Sequence, residues 1–205
     1  MSFKYYDTLS TLISGCLLLL VLSEVLGKDM SNISAILLLA IAYVLGYILN
    51  AVSGWLEPFY FWTMGGMPSD KLLRPNSKGK TKDYTGYGRI RFYQYQKAIK
   101  LLKVELEDTK ASTRKMFEKA MTYSNSNSAT RVPDFNAQFA FSRVMFTLAW
   151  VVGIILAFEY YCRWWYWLIF AAVILLLWKR CKEMGYYYAK EVLVEYLKIK
   201  ESKNK

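Results

Sequence analysis

The chain has 205 residues, 55% of them hydrophobic and 17% aromatic, and yet carries a formal charge of +11. It contains no histidine, which excludes histidine-based catalytic triads, histidine metal ligands and imidazole pH switches. A chain this apolar and this basic has to segregate the two properties, so the apolar runs read as membrane spans and the charge as their flanks.

Residues 1–7 are a short polar start with Lys4, and residues 8–26 are an apolar run interrupted only by small polar residues and Glu24. A secretory signal would have a shorter apolar region and a small-x-small cleavage site, and the sequence LSEVLGK at residues 22–28 offers none. The run is therefore predicted to be a retained first span, with Cys16 a small buried hydrophobe inside it. The three cysteines, Cys16, Cys162 and Cys181, show no paired spacing.

Gly27, Lys28 and Asp29 form a tight connection, with Ser31 or Asn32 as the expected N-cap of the second span. That span, residues 33–56, holds no charged residue and is long enough to cross a hydrocarbon core of ~30 Å. Glu57 and Pro58 mark its exit, and Trp55, Tyr60 and Trp62 are expected to form an interfacial aromatic belt. The glycine pair Gly65-Gly66 before Met67-Pro68 breaks the helix, and residues 69–83 read as loop.

Residues 87–123 are predicted as one long amphipathic helix. Tyr95, Ile99, Leu102, Leu106, Thr109, Thr113, Phe117 and Met121 recur at spacings of three and four, which places them on one face. Lys97, Lys100, Lys103, Glu107, Lys110, Arg114 and Glu118 take the other side, with Lys103/Glu107 and Arg114/Glu118 spaced to pair at i,i+4. Residues 124–128 (SNSNS) then serve as a linker, and Asp134 is the expected N-cap of the next helix.

Residues 135–160 begin polar and turn apolar from Val144, so the third span starts as a cytosolic stem. A short turn at residues 159–163 leads to the fourth span, residues 164–178, bracketed by Trp164, Trp165 and Trp167 at one end and Trp178 at the other. It continues without a break into a charged helix, residues 179–200, whose apolar set is Met184, Tyr188, Val192, Tyr196 and Ile199.

The predicted fold is all-α, a polytopic membrane protein with four transmembrane helices and a helical cytosolic layer. That layer is formed by the long central segment and the C-terminal helix. Residues 1–58 make a first transmembrane hairpin, 59–134 a basic cytosolic loop and amphipathic helix, 135–178 a second transmembrane hairpin, and 179–205 a cytosolic C-terminal helix. Residues 57–143 hold 16 Lys/Arg against 8 Asp/Glu, and residues 179–205 hold 8 against 4. The other two connections hold one basic residue each. The positive-inside rule then puts both termini and the central segment in the cytoplasm.

Two candidate surfaces follow. Tyr84, Tyr87, Arg89, Arg91, Tyr93 and Tyr95 interleave cations with aromatics, a pattern suited to stacking RNA bases or to lying on anionic lipid. Gly46, Asn50 and Gly54, four residues apart, form a small-and-polar face suited to close helix packing, within the chain or in a homo-oligomer. Asn50 could also line a polar path with Ser53 and Thr8. Glu24 and Glu57 fall at span ends, where a carboxylate reaches headgroup water. No phosphate loop, paired-carboxylate set or nucleophile elbow occurs, so the chain is read as a non-enzyme with no cofactor and no metal.

Tyr5-Tyr6-Asp7-Thr8-Leu9 with Ile13-Ser14-Gly15, the run Tyr43-Val44-Leu45-Gly46-Tyr47, and Met67-Pro68-Ser69-Asp70-Lys71-Leu72-Leu73 carry a resemblance. Together they resemble small four-span bacterial membrane proteins of antiviral loci, most of all the four-span accessory protein of type VI-B CRISPR systems. The resemblance covers mainly the first third of the chain. It implies a bacterial inner-membrane accessory or effector protein that modulates RNA-targeting immunity, with an RNA-guided nuclease, another protein or RNA as partner, and no catalytic residues. The other accessory type of those systems carries an Arg-x4-His nuclease-like motif, which a chain without histidine cannot supply. The alternative reading is a small oligomeric channel or transporter-like bundle.

Overall fold

The computed structural model describes residues 2–27, 33–74, 84–125 and 130–203. The described chain is nearly all-α, with helices α1 (Ser2–Val25), α2 (Ala35–Trp55), α3 (Glu57–Thr63) and α4 (Pro68–Leu73), then a two-stranded hairpin, β1 (Thr85–Tyr87) and β2 (Ile90–Phe92). After it come α5 (Tyr95–Glu105), α6 (Thr113–Asn125), α7 (Val132–Tyr160) and α8 (Trp164–Lys203). Four helices are long and apolar enough to cross a membrane: Thr8–Val25 within α1, Ala35–Trp55, Val132–Tyr160 and Trp164–Ser202. The chain divides into two compact units, Met1–Phe59 with Ala137–Cys181, and Tyr60–Asn136 with Lys182–Lys205.

In the first unit, α1 and α2 pack backbone against backbone. A Cβ on Gly15 would lie 1.6 Å from the Ala42 carbonyl oxygen, and one on Gly46 would lie 1.9 Å from that of Thr11. Only glycine fits at either place, which is the close approach that small residues permit between apolar helices. The buried stripe of α2 is Ala42, Gly46, Leu49 and Ser53, and Leu18, Leu49, Val144 and Leu148 join α1, α2 and α7 in one apolar cluster. The second helix starts at Ala35, two residues after the start of its apolar run. Its cap is Ser34, whose hydroxyl accepts a hydrogen bond from the Leu37 amide at 3.3 Å; Ser31 and Asn32 lie outside the described residues.

Helices α7 and α8 meet through Gly153. Its carbonyl accepts a hydrogen bond from the buried Tyr166 hydroxyl, and a Cβ there would fall 1.9 Å from the Phe170 ring. Trp150 closes edge-on against Phe170 at 5.5 Å.

The second unit has its own core, and here the prediction of a single helix over residues 87–123 is corrected. Residues 85–92 form the hairpin, with Thr85 opposite Phe92, Gly86 opposite Arg91 and Tyr87 opposite Ile90. Gly88, at φ 57, takes the first central position of the two-residue turn, where a positive φ is required. The remaining helix is broken in two. Glu107 adopts φ 51, the Lys110 amide bonds Asp108 Oδ1 at 2.8 Å, and Ser112 caps α6 by accepting from the Lys115 amide at 3.3 Å. A turn through residues 107–112 out-competes the helix because the Asp108 and Ser112 side chains offer the backbone local partners. Glu107 thereby leaves the helical register that would have set it against Lys103, whereas Arg114 and Glu118 do pair at 3.0 Å.

The loop expected at residues 69–83 also begins as helix: Pro68 opens α4 at its first turn, a position that proline favours. The rest, residues 75–83, lies outside the described residues, as do residues 126–128 of the expected linker. Helix α7 starts at Val132, so Asp134 sits in its first turn and is not its cap. Tyr60 is buried and does not join the exposed Trp55 and Trp62 in an aromatic belt.

Leu72, Phe92, Leu102, Met116, Ala120, Val132, Val192, Leu193 and Tyr196 belong to one buried cluster that joins α4, β2, α5, α6, the start of α7 and the polar half of α8. Aromatic pairs extend it, Phe117 with Tyr188 at 6.3 Å and Phe135 with Tyr187 at 6.1 Å. The Thr85 hydroxyl donates to the Leu72 carbonyl at 2.8 Å, and the Thr113 hydroxyl donates to Asp70, so side-chain bonds fix α4 to the hairpin and to α6.

Candidate interaction surface

Strand alternation sorts the six aromatic and basic candidates. Ile90 and Phe92 point inward, and so Arg91 and Tyr93 point out, as a period of two requires. Tyr84 and Tyr93 bring their rings to 5.6 Å, and the Arg91 guanidinium lies 4.8 Å from the Tyr84 ring centre. Arg89, in the turn, is exposed. A hydrogen bond with Tyr93, then the nearby Tyr84 and Tyr93 oxygens, raise the Arg91 pKa above its ordinary value and keep the guanidinium charged.

Tyr95 and Tyr87 belong to the interior of the unit. Tyr95 is buried in the core cluster. Tyr87 stacks on Tyr186 at 5.4 Å, with rings 21° apart, and Lys182 places its ammonium 4.3 Å from the Tyr87 ring centre. Burial, and then repulsion from Lys71, lower the Lys182 pKa. The outward cluster is therefore Tyr84, Arg89, Arg91 and Tyr93.

Gly46 lies in the α1–α2 contact, Asn50 is half-buried, and a Cβ on Gly54 would meet nothing within 4 Å. Ser53 is buried and donates to the Asn50 carbonyl at 2.8 Å. Thr8 and Glu24 are exposed.

Two charged sets escaped sequence reasoning. Arg143 donates to Glu57 within the first unit, and it also lies 5.8 Å from the Phe139 ring centre. In the second unit Lys200 pairs with Glu105, packs 4.1 Å from the Tyr123 ring centre, and sits one turn from the buried Tyr196. The Glu105 partnership, first through its hydrogen bond, raises the Lys200 pKa. Tyr196 is raised as well, first by burial and then by the Glu105 charge. The only signals in the sequence were an acid at the exit of an apolar run and a lysine one turn after a tyrosine.

Among the described residues, no group of three or more His, Cys, Asp or Glu could hold a metal ion. No protein-family model, curated protein or solved structure matches the chain.

Proposed function

We propose that this is a non-enzymatic accessory protein of a bacterial inner membrane, anchored by its four apolar helices, with both termini and the second unit in the cytoplasm. The excess of Lys and Arg in residues 57–143 and 179–205 supports that orientation, since basic flanks stay on the cytoplasmic side. The observation that carries a binding role is the outward cluster of Tyr84, Arg91 and Tyr93. Paired aromatic faces beside a fixed cation suit an unstacked nucleobase next to its phosphate. With the resemblance of the first third to four-span proteins of antiviral loci, the partner is RNA, or an RNA-guided nuclease carrying it.

The test is binding of labelled single-stranded RNA to the detergent-purified chain over a salt series. Arg89→Gln/Arg91→Gln is expected to weaken binding and reduce the slope of log K against log salt by ~1 to 2, one unit per lost phosphate contact. Unchanged affinity and slope would remove RNA as the ligand of the hairpin.

A further inference from the structure

Within the first unit, α7 and the start of α8 enclose a groove of about 530 Å³. Its walls are Trp150, Ile154, Ala157 and Phe158 of α7 with Trp167 and Phe170 of α8, and Tyr161 of the connection also lines it. Trp150 is set edge-on to Phe170, and the Trp167 indole N–H donates to the Tyr161 carbonyl at 3.0 Å. Gly153 lines the groove and admits the Phe170 ring.

The connection beyond Tyr161 ends in Arg163. Its guanidinium faces the rings of Tyr160 at 5.7 Å and Trp165 at 6.0 Å, and its amide bonds the Tyr160 carbonyl at 2.9 Å. Among the described residues no carboxylate forms an ion pair with it. An apolar slot lined by Tyr161, two residues along the chain from a cation that takes part in no ion pair among the described residues, matches an amphiphile with an apolar tail and an anionic head. We propose that the groove holds one acyl chain of an anionic glycerophospholipid, with the phosphate at Arg163. The tail gains dispersion contacts from the aromatic walls, and the head gains the attraction of one cation at an interface. Arg163 is thus a lipid-binding residue, and Ala157 is the smallest side chain of the α7 wall.

This inference rests on the membrane-spanning reading. Native mass spectrometry of the detergent-purified chain, after titration with phosphatidylglycerol or phosphatidylcholine, tests it. One phosphatidylglycerol is expected to be retained in preference to phosphatidylcholine. Arg163→Gln should lower that retention about fivefold, the effect of one basic side chain at an anionic surface, and Arg163→Lys should restore most of it. Ala157→Phe, which fills the slot, should lower retention of both lipids. Equal retention of the two lipids, or no effect of Arg163→Gln, would overturn the proposal. So would a wild-type dimer that Ala157→Phe abolishes, since a second copy would then occupy the groove. Wild-type chain that stays monodisperse without detergent would instead remove the membrane reading itself.

Discussion

Arg143 of α7 donates a hydrogen bond to the carboxylate of Glu57, which opens α3, and the two residues are 86 positions apart in the chain. Both are largely shielded within the first unit, with 16% of the arginine and 33% of the glutamate side chain exposed. An ion pair in such a place holds two helices in register, but its removal as a unit is far less costly than the loss of one partner.

Arg143→Leu alone is therefore expected to destabilise the purified protein by about 1–3 kcal/mol, the range for a hydrogen bond to a charged group. Glu57→Leu/Arg143→Leu should recover part of that loss. Thermal unfolding in detergent checks both. A double variant no better than the sum of the singles would mean that the pair contributes nothing as a pair.

Gly46 and Gly54 separate close packing from mere helical spacing. Gly46→Val drives a side chain into the Thr11 carbonyl, which is backbone and cannot rotate away, so a loss of roughly 1–3 kcal/mol or more is expected. Gly54→Ala meets open space and should be neutral or stabilise by up to about 1 kcal/mol through helix propensity. The same melting assay reads both variants, and equal effects would contradict the packing described for α1 and α2.

Glu107 holds a positive φ without being glycine. Glu107→Gly should stabilise the second unit by about 1 kcal/mol, because left-handed backbone costs an L-residue roughly that much. Glu107→Val should destabilise it. If Glu107→Gly proved destabilising, the turn between α5 and α6 would not be as described.

The Lys200 and Tyr196 pKa values are both raised in the fold. A raised pKa stabilises the fold fully below the unfolded value and loses that contribution as pH climbs through the folded value. Stability of the second unit should thus hold through neutral and mildly basic pH and fall once pH passes about 10, where free tyrosine and lysine titrate. Glu105→Gln should make that alkaline fall shallower, as read from melting temperatures across a pH series. A fall of unchanged steepness would separate the cluster from the alkaline transition.

The apolar helices were legible because charge is missing from residues 33–56 and sparse in residues 8–26, and the unbroken run of α8 showed in the absence of any breaker pair. The split of residues 87–123 was not. Leu106, Thr109 and Thr113 keep a helical spacing across the turn by coincidence, so periodicity alone carried the helix through Glu107 and Asp108. The hairpin was hidden for a related reason: with three residues per strand, its alternation is too short to compete with a neighbouring amphipathic pattern. Of the aromatic candidates, the alternation of Ile90-Arg91-Phe92-Tyr93 was visible in the sequence, but the stacking of Tyr87 on Tyr186 joins residues too distant for pattern to reach. The Glu57–Arg143 and Glu105–Lys200 pairs are of that kind too.

The membrane reading and its orientation meet in one residue. Cys162 lies exposed in the short connection between α7 and α8, whereas Cys181 is buried and Cys16 is half-buried in α1. In intact bacterial spheroplasts, a membrane-impermeant maleimide should label the chain at Cys162, and Cys162→Ser should abolish the signal. Labelling that appeared only after the cells were lysed would place the connection on the cytoplasmic side and contradict the proposed arrangement of the four spans.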